Sequence, residues 1–454
     1  MPRHSFPKRS MAIVAALAMS AAALAGTAKA SDSPGKHSTE SLARRATASD
    51  KVESASAIAE LRAMGPEGLR AFLEANSGEI DAALRTSSSR NKSISSNSKQ
   101  ALSALDSICQ QKDCYASKLF WYTDLEQAKS AARASGKPIL SLRLLGRLDE
   151  DLSCANSRLF RIALYANEQV SKLLRERFVL HWQSVRPVPR LTIDFGDGRK
   201  MERTLTGNSI HYVLDSEGRV IDALPGMYGP GAFFRELERI SSTVASLAVF
   251  RTEEERQTAL RRYHQSRIDD LENAWLNDVK RAGLRVAPSR EISRPANIGP
   301  TPPSAQRAAA AAVSKAVLVE RPVLRGMSDS PKLLDSIGGD AGWSTIAGLH
   351  AEDATLDQAT RTLMSFKDPS LAGPSLRLAV AAFERAVAED TVRNEYVFRA
   401  RIHDWLARGA VSADLASLNE KIYAELFLTP SWDAWLGLRP AGAYSGIDDD
   451  GVRK

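Results

Sequence analysis

The sequence predicts a mixed α/β domain over residues 115–247, with mainly α-helical regions on its N-terminal and C-terminal sides. Three observations predict this class. Between 121 and 224, runs with helical apolar spacing alternate with short apolar runs of strand length. Two glycine turns, Gly196-Asp197-Gly198 and Asp215-Ser216-Glu217-Gly218, each stand between β-like runs. Outside the domain, 53–84, 248–283 and most of 306–430 carry helical spacing. At 454 residues the chain has room for about two to three domains.

The first thirty residues stand apart. Arg3, Lys8 and Arg9 precede an apolar run over 11–24, and Thr27-Ala28-Lys29-Ala30 has the small-x-small pattern of a signal-peptidase site. We read 1–30 as a secretory signal, too short and wrongly flanked for a membrane anchor, and expect an exported protein, periplasmic or extracellular. No later stretch approaches the ~18 apolar residues of a membrane span. Removing 1–30 takes four basic residues and no acid, so 61 basic residues fall to 57 against 54 acidic, a net charge of +3. Both signs are interspersed along the helices, which excludes a nucleic-acid footprint.

Residues 31–52, rich in Ser, Thr, Ala and Lys, are expected to be disordered. Over 53–84, Ile58, Leu61, Leu69, Phe72 and Leu73 recur at helical spacing, and Gly65-Pro66 divides the run. The polar tract 87–98 reads as a Ser-rich linker, and a helix from Lys99 carries Leu102, Leu105 and Ile108 toward Cys109. In the α/β domain, Thr123 or Asp124 caps a helix that Gly136 ends. A strand spans 139–145, and an acidic loop leads to a helix from Ala155, bent near Ala166-Asn167. A strand over 178–185 follows, then Arg186-Pro187-Val188-Pro189 and a hairpin of 191–195 against 203–206. A second hairpin pairs 210–214 with 219–224, Pro225-Gly226 breaks the strand, and a helix over 230–247 closes the domain. Beyond it, 248–283 is a charged helix and 286–305 a Pro-rich linker. The C-terminal helical region, 306–454, has its best helices at 376–390, 392–407 and 413–427.

One order of elements is informative: helix, Gly136-Lys137-Pro138, apolar strand, Cys154-Ala155-Asn156-Ser157, helix, strand. It resembles the thioredoxin-like fold superfamily, in particular secreted thioredoxin-like domains whose entry helix ends in Gly-Lys-Pro. The resemblance implies a three-layer α/β/α domain with Cys-x-x-Cys at the start of the second helix. It also implies a cis proline opening the strand that runs into Asp-x-x-Gly. This chain departs from that pattern in three places. Ser157 replaces the second cysteine. Ser209 stands at the proline position, where a non-proline cis bond would cost ~3 kcal/mol, so a trans bond and a reshaped groove are expected. A hairpin replaces the helix that usually follows the strand ending near Arg186.

Two functional readings follow. In the first, an exported thioredoxin-like protein exchanges disulfides as a monothiol through Cys154, with protein thiols or disulfides as partners. A helix N-terminus favours a thiolate, and a Cys-x-x-Ser tetrad can hold a mixed disulfide. In the second, Cys154 is a small buried hydrophobe in a redox-inactive thioredoxin-fold module for binding or assembly. His211 lies two residues after Ser209 on the same strand face, within reach of Cys154 as a base; the other reading, for it and for His181, is a core histidine.

The remaining candidates have simpler readings. The chain has three cysteines. An exported chain pairs its thiols, so Cys109 and Cys114 are expected to close a short loop and leave Cys154 free. No further ligands for a metal stand near that pair, and no cofactor is expected. Asp194, Asp197 and Asp215 sit in or beside glycine turns, where Asp caps its own backbone, and Asp448, Asp449 and Asp450 lack calcium-loop spacing. Trp432, Trp435 and Leu436 are expected to form a packing plug rather than an exposed patch.

Overall fold

The computed structural model describes residues 34–87, 94–204, 207–284, 340–409, 414–427 and 429–435. Six helices come first: α1 (Pro34–Arg45), α2 (Lys51–Ala63), α3 (Pro66–Ala75), α4 (Ser77–Ser87), α5 (Ser96–Cys109) and α6 (Cys114–Ser117). The expectation of disorder over 31–52 is therefore corrected: α1 occupies 34–45, because Ala43 and Ala46 bury against the apolar faces of the next helices. Composition alone hides so small an apolar stripe. Gly65, at φ +67°, and Pro66 at the first position of α3 make the break between α2 and α3. The linker expected over 87–98 is shorter than read, since α5 starts at Ser96 on the Ser95 cap. These helices bury their own cluster, centred on Leu61, Phe72, Leu105 and Ile108.

The α/β part has five strands in one sheet: β1 (Trp121–Tyr122), β2 (Ile139–Leu145), β3 (Val179–Arg186) and, after a separate hairpin, β6 (Ser209–Leu214) and β7 (Val220–Pro225). The hairpin consists of β4 (Arg190–Asp194) and β5 (Lys200–Thr204), which pair only with each other. Sheet order is β1-β3-β2-β6-β7, with β1, β3 and β2 parallel and β6 and β7 antiparallel to their neighbours. Every residue of β2 is buried, as a central strand covered on both faces requires.

Helix α7 (Leu125–Ser135) starts on the Asp124 cap and stops at Gly136, φ +70°. Helix α8 (Ala155–Leu159) runs into a π-helical turn, Phe160–Leu164, and α9 (Glu168–Arg177) restarts on the Asn167 cap. The bend read at Ala166-Asn167 is this junction. Helix α10 (Pro230–Leu247) and α11 (Glu253–Arg281) follow, the latter opened by a capping box of Thr252 and Glu255.

Beyond α11, the helix Pro374–Arg393 continues through a π-helical turn, Asn394–Arg399, into Ala400–Ala407. The last helix among the described residues is Leu415–Glu425. The Pro-rich linker expected over 286–305, and 306–339, lie outside the described residues. The C-terminal helices do not form a core apart from the domain. Trp343, Phe398, Ile402, Ile422 and Phe427 belong to one cluster with Leu142, Ile210 and Leu237 of the sheet and α10.

Sheet alternation decides which layer covers which face. His211 faces Phe160 of the π-helical turn and Phe233 of α10, ring centroids 4.7 and 5.0 Å away. Tyr212 points the other way, and its hydroxyl donates to Asn419 of Leu415–Glu425 at 3.1 Å. The C-terminal helix thus lies on the opposite face, where the β4–β5 hairpin leaves no helix between β3 and β6. Buried on that face are Ser141, Arg143 and His181, a polar row that is satisfied within the sheet: Ser141 bonds His181, and Arg143 donates to Gln183.

Candidate functional site

Cys154 sits at the cap position of α8, where the loop from β2 turns into helix. Its N–H donates to the carbonyl of Leu145, the last residue of β2, at 3.1 Å. Its Sγ lies 3.0 Å from Ser209 Oγ, 3.3 Å from Ser157 Oγ and 3.9 Å from the Asn208 carbonyl. Cys154, Ser157 and Ser209 therefore do come together, as the tetrad and the proline-position reading expected. All three are 0% exposed. A thiol has one proton to donate and weak acceptor capacity, and here both are met inside the protein.

The cover over this trio comes from far along the chain. Tyr423 donates to the same Asn208 carbonyl at 3.1 Å. The Asn208 amide donates to Thr429 Oγ1 at 2.9 Å and to the Phe427 carbonyl at 3.4 Å. Arg186, at the end of β3, clamps the segment by donating to the carbonyls of Thr429, Pro430 and Asp433 at 2.7, 3.0 and 3.3 Å. Ile422, Tyr423, Leu426 and Phe427 are each at most 1% exposed. At ~1.5–3 kcal/mol for each large apolar side chain, lifting this segment would cost on the order of 6–12 kcal/mol, most of a domain's stability.

His211 does not reach Cys154. Its Nε2 meets the Tyr165 hydroxyl at 2.7 Å within an aromatic shell, and burial pushes its pKa down to about 3. His181 shares a hydrogen bond with Ser141 at 2.9 Å and is likewise pushed down to about 3, by burial first and by Arg143 second. Both are neutral core histidines.

Cys109 and Cys114 are joined by a disulfide between α5 and α6, and Cys154 is the free cysteine. Asp106 accepts from the Cys114 N–H at 2.9 Å and so holds the short loop closed. Asp194, Asp197 and Asp215 each accept from a backbone N–H of their own turn, at 2.9, 3.0 and 2.9 Å. Among the described residues no group of three His, Cys, Asp or Glu could hold a metal ion, and no helix is long and apolar enough to cross a membrane. The plug reading of Trp432 and Trp435 is corrected: they are 70% and 46% exposed, because Arg186 holds the backbone of this segment and leaves its side chains outward. Leu436 and Asp448 to Asp450 lie outside the described residues.

A second cluster escaped the sequence reading. Arg399, on the π-helical turn and fully buried, donates to Asp222 of β7 at 3.0 Å, Glu236 of α10 at 2.6 Å and Glu395 at 2.8 Å. Burial alone would raise the Asp222 carboxyl, but Arg399 overrides it and holds the group well below the usual carboxylate range. Tyr263 of α11 donates to Asp222 at 2.5 Å. His264 and His403 face each other, Nδ1 to Nδ1, at 2.9 Å, and His403 Nε2 lies 3.8 Å from Asp222. One of the two rings donates from Nδ1 and the other accepts, so both histidines stay uncharged in this buried pair. The one signal in the sequence was Asp222 itself, an acid inside the apolar run Val220-Ile221-Asp222-Ala223-Leu224.

Comparison with family models, curated proteins and solved structures finds no match to this chain.

Proposed function

We propose that this chain is an exported, redox-silent module with a thioredoxin-like core, used for binding or assembly rather than for disulfide exchange. The observation that carries this is the complete burial of Cys154 beneath Tyr423, Phe427 and Thr429, together with serine at both partner positions, 157 and 209. A disulfide substrate must place a sulfur in line with the attacking thiolate, and no path for it is open. The thioredoxin-like reading is supported by strand order β1-β3-β2-β6-β7 with its last two strands antiparallel, and by Cys154 opening the helix after β2. Export is supported by the signal pattern in 1–30 and by the Cys109–Cys114 disulfide, a bond that persists in oxidising compartments. On this reading, Leu415–Glu425 takes the place of the helix that the β4–β5 hairpin displaced.

The test is thiol accessibility. In native buffer Cys154 should resist a small aromatic disulfide reagent, with modification appearing only on unfolding, and a Cys154→Ser variant should keep its stability to within about 1–2 kcal/mol. Stoichiometric modification of the native protein at the rate of an open thiol would return the monothiol reading.

A further inference from the structure

The β4–β5 hairpin stands as its own two-stranded sheet, and among the described residues no strand lies along either outer edge. Two strands alone are marginal in water; a third gives such a ribbon independent stability. Its two edges are not equivalent. β5 ends on the body of the protein, where Thr204 Oγ1 donates to the Ser153 carbonyl at 3.0 Å and accepts from Arg158 at 3.0 Å. The edge of β4 has no such attachment along its middle.

Backbone parity defines what that edge offers. Phe195 N–H donates to the Arg199 carbonyl across the turn, so odd-numbered residues of β4 aim their backbone groups at β5. Arg190, Thr192 and Asp194 therefore aim theirs outward. Place a second β4 antiparallel along this edge, with a two-fold axis at Thr192. Arg190 then faces Asp194 of the other copy, Leu191 faces its Ile193, and Thr192 faces Thr192. Opposite charges meet twice, apolar residues meet twice, and the outward backbone groups fall into register. Arg190 and Asp194 are about half exposed beside their own partners Glu150 and Lys200, so each has room for a second one. The apolar face of the ribbon carries Phe195 and Met201, 51% and 37% exposed, which the second copy would extend into one surface. The same operation on β5 sets Glu202 against Glu202 and is disfavoured.

We propose that β4 is the contact between two copies of this chain, which join edge to edge into a four-stranded ribbon, β5-β4-β4-β5. The full chain should then run at twice its mass in sedimentation or light scattering. Arg190→Asp alone, or Asp194→Arg alone, sets like charges against each other twice per dimer and should weaken it about tenfold or more. Mixing the two variants restores attraction at both ends and should recover the dimer. Thr192→Cys brings two thiols to the axis, where Cα atoms of a hydrogen-bonded pair stand ~5.5 Å apart, and should give a disulfide-linked dimer. A wild-type monomer with no Thr192→Cys cross-link would overturn the proposal and mean that the end charges guard the edge against pairing. A dimer untouched by either charge reversal would overturn it too, placing the contact elsewhere.

Discussion

Arg399→Met removes the one guanidinium that joins β7, α10 and the C-terminal helices. In the native protein it donates to Asp222, Glu236 and Glu395, and both Arg399 and Asp222 are 0% exposed. After the change Glu236 still has Arg239 at 2.7 Å and Arg267 at 3.5 Å. Asp222 keeps the Tyr263 hydroxyl and the Ala223 N–H, with no cation in contact. Methionine fills much of the volume, so the loss is electrostatic: a fully buried carboxylate left without its ion, worth about 3–5 kcal/mol. The sign of the pH dependence also inverts. With Arg399 present, the Asp222 carboxyl is depressed, so its contribution to stability is fully present above the unfolded value and is lost as pH falls. Without Arg399, burial raises that carboxyl, and the variant's deficit should shrink as pH falls from 7.5 toward 5. Urea unfolding of both proteins at the two pH values measures this. A deficit below about 1 kcal/mol at pH 7.5, or one that grows on acidification, would refute the account of Arg399 as the compensating charge.

Two further outcomes follow from the buried groups and the backbone. His181 and His211, with pKa values pushed down by burial to about 3, and His264, to about 4, are neutral in the fold and bind protons when unfolded. Stability should therefore fall as pH drops below the unfolded value of about 6.5, by ~1.4 kcal/mol per unit for each histidine, down to about pH 4. His350 opposes with the contrary sign, since Asp353 and Asp278 raise its pKa; a flat denaturation midpoint between pH 6.5 and 4.5 would contradict the burial of the three. Gly226→Ala should cost about 2–3 kcal/mol in the same assay: φ there is +71°, and a Cβ would stand 2.5 Å from Asn394 Nδ2, which donates to the Met227 carbonyl.

Local physics made most of the α/β part legible. Gly136 and Asp124 marked the ends of α7, the Gly196-Asp197-Gly198 turn marked a hairpin, and the mostly apolar run of β2 marked a central strand. Cys154, Ser157 and Ser209 were brought together by the resemblance alone, and they do lie in contact. What escaped depends on partners distant in sequence. Asp222 is 177 residues from Arg399, and no periodicity ties an acid in a strand to a π-helical arginine. The burial of Cys154 was hidden for the same reason, since Tyr423 and Thr429 reach Asn208 across 215 and 221 residues. Trp432 and Trp435 misled because tryptophan usually buries, whereas here backbone carbonyls do the anchoring.

That distant cover bears on how the protein is made. The sheet's second face closes only when Asn419 meets Tyr212, 207 residues earlier, so every strand must be in place before its final layer arrives. Contacts of such range come late and slowly, and until then Arg143, Tyr212 and the Cys154 trio face solvent. A chain crossing a membrane from its N-terminus would spend that interval with a half-clad sheet and a free thiol outside. The Cys109–Cys114 bond closes across only five residues, early and locally, and takes up the two other sulfurs before Cys154 could compete for them. On the export proposed above, the spacing of the cysteines would act on the order of events as the chain emerges, sorting the thiols before Leu415–Glu425 seals the third one in.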